Sequence, residues 1–245
     1  MSENLKTRRE DHVLRLTLSR PEKRNALSIG MCRELVSAFS EAEADDGVNV
    51  ILLDAEGKAF CAGMDLAEIL DPEAARQAEV HEQLFTIGAR IRKPIVAAVQ
   101  GPALGGGMAL AANAHVILAA EEATFGLTEI RIALWPYVVF RAAKLAVGDR
   151  RALELSLTGR IAGAAEAREW GLVNHVLPAA ELSARARKVA ALIAAFDPGA
   201  ISQGLEFTHR TRESASEEAG AIAREYRARA FASPAFQTAA RAFLR

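Results

Sequence analysis

The hydrophobic pattern changes its period along the chain. From His12 to Leu18 apolar residues take alternate positions (Leu14, Leu16, Leu18), the period of a strand with one buried face. The charged segment Arg20–Asn25 follows as a turn. Ser28 is placed to cap a helix running through Glu43, with Leu35, Val36 and Phe39 on its inward side. Beyond Asp45-Asp46-Gly47 come short, wholly apolar runs at Val48–Leu53, Ile95–Val99 and Val116–Ala119. Each is too short for a helix and bounded by turn signals. Interleaved with helices, such runs read as buried strands of an α/β chain. Asp65–Arg92 is helix-prone but charged on several sides (Glu68, Glu73, Glu79, Glu82). From Arg141 the pattern is almost wholly helical. There Asp149 is placed to cap a helix carrying Leu153, Leu155 and Leu157, and Leu172–Leu177 reads as one last strand, stopped by Pro178. The remainder consists of alanine- and arginine-rich helices broken near Pro198 and Pro234. The expected division is an α/β body over residues 1–178 and a helical tail over 179–245. A tail of this kind packs on its body or on a neighbouring subunit.

Composition narrows the class of partner. The chain has 245 residues, 51% hydrophobic and 25% charged, values of a globule with a real core. Thirty basic residues against 31 acidic give a net charge of -1, so no basic field recruits nucleic acid. Cys32 and Cys61 match neither a disulfide framework nor a zinc spacing, which fits a reducing compartment. The first six residues lack the apolar core of a secretory leader, and no apolar run approaches the ~20 residues that span a bilayer. The expectation is a cytoplasmic protein with no membrane partner.

Two glycine-bearing loops follow the second and third buried runs, Gly57–Leu66 and Gly101–Leu110. Gly105, Gly106 and Gly107 stand directly before a helix-capable stretch. Such glycines let backbone approach a ligand and aim N–H groups at it, or else make a tight strand-to-helix turn. A dinucleotide fingerprint and a phosphate-binding P-loop both fail on spacing. What remains is a pair of N–H donors, one from each loop, suited to an oxyanion. An acid or base must accompany them. Glu129 lies among apolar residues just after a predicted strand, where burial would raise its pKa and suit it to proton transfer. The alternative is a structural glutamate paired with Arg131. The five histidines give no metal-ligand spacing and there is no Gly-x-Ser-x-Gly elbow. His115 and His175 fall in strand-like runs and read as core or interface groups, whereas His81, Glu68 and Glu82 read as solvated surface.

The order and spacing of the landmarks resemble the enoyl-CoA hydratase/isomerase (crotonase) superfamily. They are Arg20-Pro-Glu-Lys-Arg-Asn-Ala-Leu27, Ala59-Phe-Cys-Ala-Gly-Met-Asp-Leu66, Lys93 through Gly107, Ala123-Thr-Phe-Gly-Leu-Thr-Glu129, Leu157-Thr-Gly-Arg-Ile161 and Ala164 through Val173. The resemblance runs from about His12 to the C-terminus. It implies an α/β fold, a crotonase-like ββα spiral with a helical C-terminal region that builds a homotrimer or a dimer of trimers. It also implies acyl-CoA thioester substrates, with coenzyme A part of the substrate and no separate cofactor or metal. By the same resemblance the thioester carbonyl lies between the N–H groups of Met64 and Gly106. Lys23, Arg24, Ala62, Asp65 and Leu66 match positions that hold coenzyme A. Gly105 is a further candidate for substrate binding, and Trp135 and Tyr137, which flank Pro136, are expected either to pack in the core or to wall the acyl pocket.

One departure bears on the reaction. Hydratases of the family use two glutamates; Glu129 matches the second, but Ala109 stands where the first belongs. Tyr137 and Val138 also replace a glycine-rich stretch and add bulk to the pocket. Some isomerases of the family work with a glutamate at the Glu129 position alone. The expectation is therefore isomerisation of 3-enoyl-CoA to 2-enoyl-CoA by one glutamate, ahead of a 2-enoyl-CoA hydratase. In the hydratase reading Glu68, His81, Glu82 or Tyr137 replaces the missing acid. A non-catalytic acyl-CoA-binding or protein-binding member is the third reading.

Overall fold

A computed structural model describes residues 4–72, 76–77 and 79–244. Its body is a six-stranded sheet of order β1-β2-β3-β4-β6-β9, comprising β1 (Leu5–Glu10), β2 (Val13–Leu18), β3 (Val50–Ala55), β4 (Ile95–Val99), β6 (Val116–Ala120) and β9 (His175–Leu177). Only the β1–β2 pair is antiparallel. A second, three-stranded sheet joins β5 (Ala103–Leu104), β7 (Thr124–Gly126) and β8 (Ala162–Gly163).

The chain winds as a spiral. After β4 and β6 it makes a short strand of the small sheet, β5 and β7, and then a helix. Single bridges at Leu27–Met64 and Cys61–Ala103 carry the small sheet's pairing back through the earlier turns.

The apolar runs are buried on both faces, as their composition requires. Ile51, Leu53, Ile95, Ala97, Val99, Ile117 and Ala119 join the main core beneath α1 (Ile29–Ala44). The alternate residues Val50, Leu52, Val96, Ala98, Leu118 and Ala120 meet Leu182, Ala186 and Ala190 of the long helix Ala179–Ala194. The first helix beyond residue 178 thus covers the sheet's other face. Three helices follow it, Pro198–Thr211, Ser216–Ala232 and Pro234–Phe243. Pro198 and Pro234 open two of these, each after a capping side chain, Asp197 and Ser233. No described helix is long and apolar enough to cross a membrane.

Ser28 caps α1 as its position predicts, accepting from the Met31 N–H at 3.1 Å. The structure adds one strand and corrects two expectations. Strand β1 has no counterpart in the hydrophobic pattern, because this edge strand buries only Leu5 and shows charge elsewhere. Asp149 does not cap the helix Asp149–Thr158: Gly148 takes the cap position, Asp149 pairs with Lys144 at 2.8 Å, and of the three leucines only Leu155 is buried. The strand expected over Leu172–Leu177 is confined to His175–Leu177. Of the helix-prone Asp65–Arg92 stretch, α2 (Leu66–Ile69) and α3 (Glu79–Phe85) form, while Glu73 lies outside the described residues.

Candidate active site

Four loops meet where the small sheet's pairing ends. Leu27 donates to the Gly63 carbonyl at 2.7 Å and accepts from the Asp65 N–H at 2.9 Å. This is the parallel-bridge pattern, and it turns the N–H of Met64, the residue between them, away from Leu27. The Ala62 N–H bonds to the Arg24 carbonyl at 3.0 Å, so the loop bearing Lys23 and Arg24 lies against the loop bearing Ala62, Asp65 and Leu66. Leu104 donates to Cys61, and Gly105 donates to Gly126 at 2.8 Å. The chains leaving β5 and β7 therefore run side by side, which brings Glu129 over Gly105.

The closeness of this approach explains the glycines. Gly105 has φ +53°, and a Cβ there would lie 2.8 Å from Glu129 Oε1. Gly63 has φ +102°, and a Cβ there would lie 3.0 Å from the Leu104 carbonyl oxygen and 3.5 Å from the Gly106 nitrogen. The two glycine loops are thus in direct contact. Gly106 opens α4 (Gly106–Ala112), where the first N–H groups of a helix have no partner within it. Among the described residues neither the Met64 nor the Gly106 N–H has an acceptor.

Glu129 begins a short 3-10 helix, Glu129–Ile132. It is 7% exposed, and its Oε2 has no hydrogen-bond partner among the described residues. The expected alternative, a pairing with Arg131, is not present. Burial holds its carboxyl above the ordinary range, with its own backbone N–H opposing in part. The carboxyl faces a cavity of about 220 Å³. The walls are mostly apolar: Ile29, Met64, Ile69, Leu134, Pro136 and Val139. Trp135 and Tyr137 line it too; Tyr137 is 75% exposed and stands at the opening, while Trp135 leans on Phe140.

The four candidates for a second acid separate cleanly. Glu68 accepts from the Ile29 N–H at 2.7 Å and so caps α1 rather than facing the cavity. Glu82 is exposed and does not line it. His81 does line it and is 3% exposed, correcting the expectation of a solvated residue. Tyr137 lines it from the rim. Asp65 is held by structure: its carboxylate takes the Arg20 guanidinium at 2.7 Å and the Ala67 N–H at 3.1 Å. Burial pushes that carboxyl up, but these two donors outweigh it and leave it below its ordinary value. Arg20 is missing from the sequence-based site because a partner 45 residues away leaves no local signal. Ile29, Ile69 and Leu134 were likewise illegible as cavity walls.

The other titratable groups are structural. Cys32 and Cys61 are buried free thiols, each pushed up to about 12 by burial. His115 is drawn down to about 4 by burial and by His209 and Arg212, and its Nδ1 accepts from the Ile95 N–H. His175, expected in the core or an interface, is exposed on this chain.

A family model described as enoyl-CoA hydratase/isomerase matches residues 8–245. Among curated relatives, a mevalonyl-coenzyme A hydratase of Aspergillus fumigatus is 34% identical over 95% of this chain and 88% of its own. An enoyl-CoA hydratase of Mycobacterium tuberculosis is 33% identical, covering 96% of this chain and 91% of its own. The crystal structure of an enoyl-CoA hydratase of Mycobacterium smegmatis superposes with a TM-score of 0.95 at 30% identity, over 99% of this chain and 96% of that one.

Proposed function

Because the chain belongs to the enoyl-CoA hydratase/isomerase family, we propose that it takes acyl-CoA thioesters and shifts the double bond of a 3-enoyl-CoA to the 2 position. In this reading the thioester oxygen accepts from Met64 and Gly106. Lys23, Arg24, Ala62, Asp65 and Leu66 border the coenzyme A moiety. Glu129 removes a proton from C2, and the electron pair shifts onto the carbonyl to give a dienolate held by the two N–H groups. The same carboxylic acid returns the proton at C4, and the C3–C4 double bond becomes C2–C3. Only a proton moves, so the step calls for no cofactor or metal.

The observation that carries this reading is the Glu129 carboxyl: buried, without an ion pair among the described residues, directly over Gly105 and facing an apolar cavity. Ala109, fully buried, offers no second carboxylate, which favours a one-acid proton shift over addition of water. A positioned general base contributes about 10²–10⁴-fold, and each oxyanion donor about 10²–10³-fold. Glu129→Gln is expected to lose 3-enoyl-CoA isomerisation by at least about 10²-fold while still binding the thioester by calorimetry. A variant with full turnover overturns the assignment. Binding without conversion of any 2-enoyl, 3-enoyl or malonyl thioester by the wild type would identify a binding protein instead.

We also propose a homotrimer or dimer of trimers, supported by the apolar side chains that the tail exposes, among them Phe196, Phe231, Phe243 and Leu244. A cytoplasmic location accords with the two free thiols.

A further inference from the structure

Ala109 stands where a first carboxylate would belong, and the structure shows which helix its side of α4 meets. Gly106, Ala109 and Asn113 are spaced three and four apart along α4 and its C-terminal cap, so they share one face. That face looks at the end of α3. A Cβ on Gly106 would lie 2.9 Å from Phe85 Cζ, and Asn113 Nδ2 donates to the Phe85 carbonyl at 3.0 Å. A side chain at position 109 therefore projects toward α3. On α3 the residue one turn before Phe85 is His81, whose ring lies parallel to that of Phe85 at 6.1 Å between centroids. His81 is buried and borders the same cavity as Glu129. Glu129 lies against Gly105 and Phe85 against Gly106, so Glu129 and the Phe85–His81 pair flank adjacent glycines of one loop.

We propose that His81 is the second proton-handling group of this site, replacing the absent carboxylate from a neighbouring helix, and that it equips the enzyme to hydrate 2-enoyl thioesters as well. The proposal rests on the reading that Glu129 and the two N–H groups act on a thioester. Water held between the imidazole and the Glu129 carboxyl adds its oxygen to C3. The C2–C3 π pair moves onto the thioester carbonyl, whose oxygen accepts from Met64 and Gly106. His81 takes the proton released by the water, and protonated Glu129 delivers its own to C2 as the carbonyl re-forms. The product is the 3-hydroxyacyl thioester. Proton exchange with solvent then returns both side chains to their starting forms.

The test compares two reactions of one protein, hydration of crotonyl-CoA and isomerisation of 3-hexenoyl-CoA. His81→Phe keeps a ring on Phe85 but can neither take nor give a proton. It is expected to lower the ratio of hydration kcat to isomerisation kcat by about 10²-fold. Adding Ala109→Glu to His81→Phe is expected to restore much of that ratio, because the new carboxylate projects from the face that looks toward α3. An unchanged ratio in His81→Phe, or a wild type that isomerises without hydrating, overturns the proposal. If His81→Phe does not fold, His81→Gln with the same two assays decides between the same outcomes. A wild type that hydrates but does not isomerise, with hydration lost in His81→Phe, sinks the isomerase reading alone and leaves the role of His81 standing.

Discussion

Glu129 is worse off ionised in the folded chain than in the unfolded one, because burial withholds water from its carboxylate. The folded state therefore holds this proton more tightly. The stability it confers is complete below the ordinary carboxylate pKa and is lost as pH rises through the raised folded value. Glu129→Gln is neutral at every pH, so it is predicted to melt above wild type near about pH 8 and to match it near about pH 4. Thermal unfolding at the two pH values measures the difference; a variant that melts lower at the alkaline end contradicts it. The same burial sets the acid limb of isomerisation, since only the carboxylate can take the C2 proton. That limb is expected above the ordinary carboxylate range. Gly105 supports the geometry from below. Gly105→Ala combines a positive φ with a Cβ 2.8 Å from Glu129 Oε1, so it pushes the carboxyl off its position. Turnover is predicted to fall by about 10²-fold, and stability by more than about 1 kcal/mol. Steady-state kinetics and denaturant titration read the two losses separately.

At the level of elements, legibility in the sequence followed burial. Strands β3, β4 and β6 stood out because both of their faces are covered, leaving uninterrupted apolar runs. Helix α1 was readable from its cap and its single apolar stripe. Edge strand β1 was invisible, since pairing on one side only lets Lys6, Arg8 and Arg9 remain charged. The leucines of Asp149–Thr158 misled for the reverse reason: Leu153 and Leu157 are apolar yet exposed. Glu68 shows how a tertiary contact hides a role, because its partner, the Ile29 N–H, belongs to a helix start 39 residues earlier. That start is doubly held, by Ser28 on Met31 and Glu68 on Ile29. Ser28→Ala is predicted to cost about 1 kcal/mol in urea unfolding with an unchanged m-value. A cost near zero would mean that Glu68 alone suffices.

For the whole molecule, the order of short motifs announced the loops of the site, while the direction of each side chain had to await the fold. Met64, Gly105 and Glu129 each sit in a motif of local spacing, and the fold brings their loops together. His81 was misread as solvated because a short, charged helix does not reveal which side it turns inward. The tail shows the same principle on a larger scale. Its last helix leaves Phe243 91% exposed and Leu244 85% exposed, an apolar end that association would cover. Sedimentation velocity is predicted to give the mass of three or six chains of 26.3 kDa, and Phe243→Glu to shift the distribution toward smaller species; a wild-type monomer contradicts this. The proposed reaction needs one thioester between two main-chain donors beneath one carboxyl. A crystal structure with bound acyl-CoA addresses it most directly. The thioester oxygen is predicted at about 2.7–3.1 Å from both the Met64 and Gly106 nitrogens, with the Glu129 carboxyl facing C2. A thioester seated elsewhere, or a Glu129 turned away from it, would contradict a proton shift by Glu129 over these two donors.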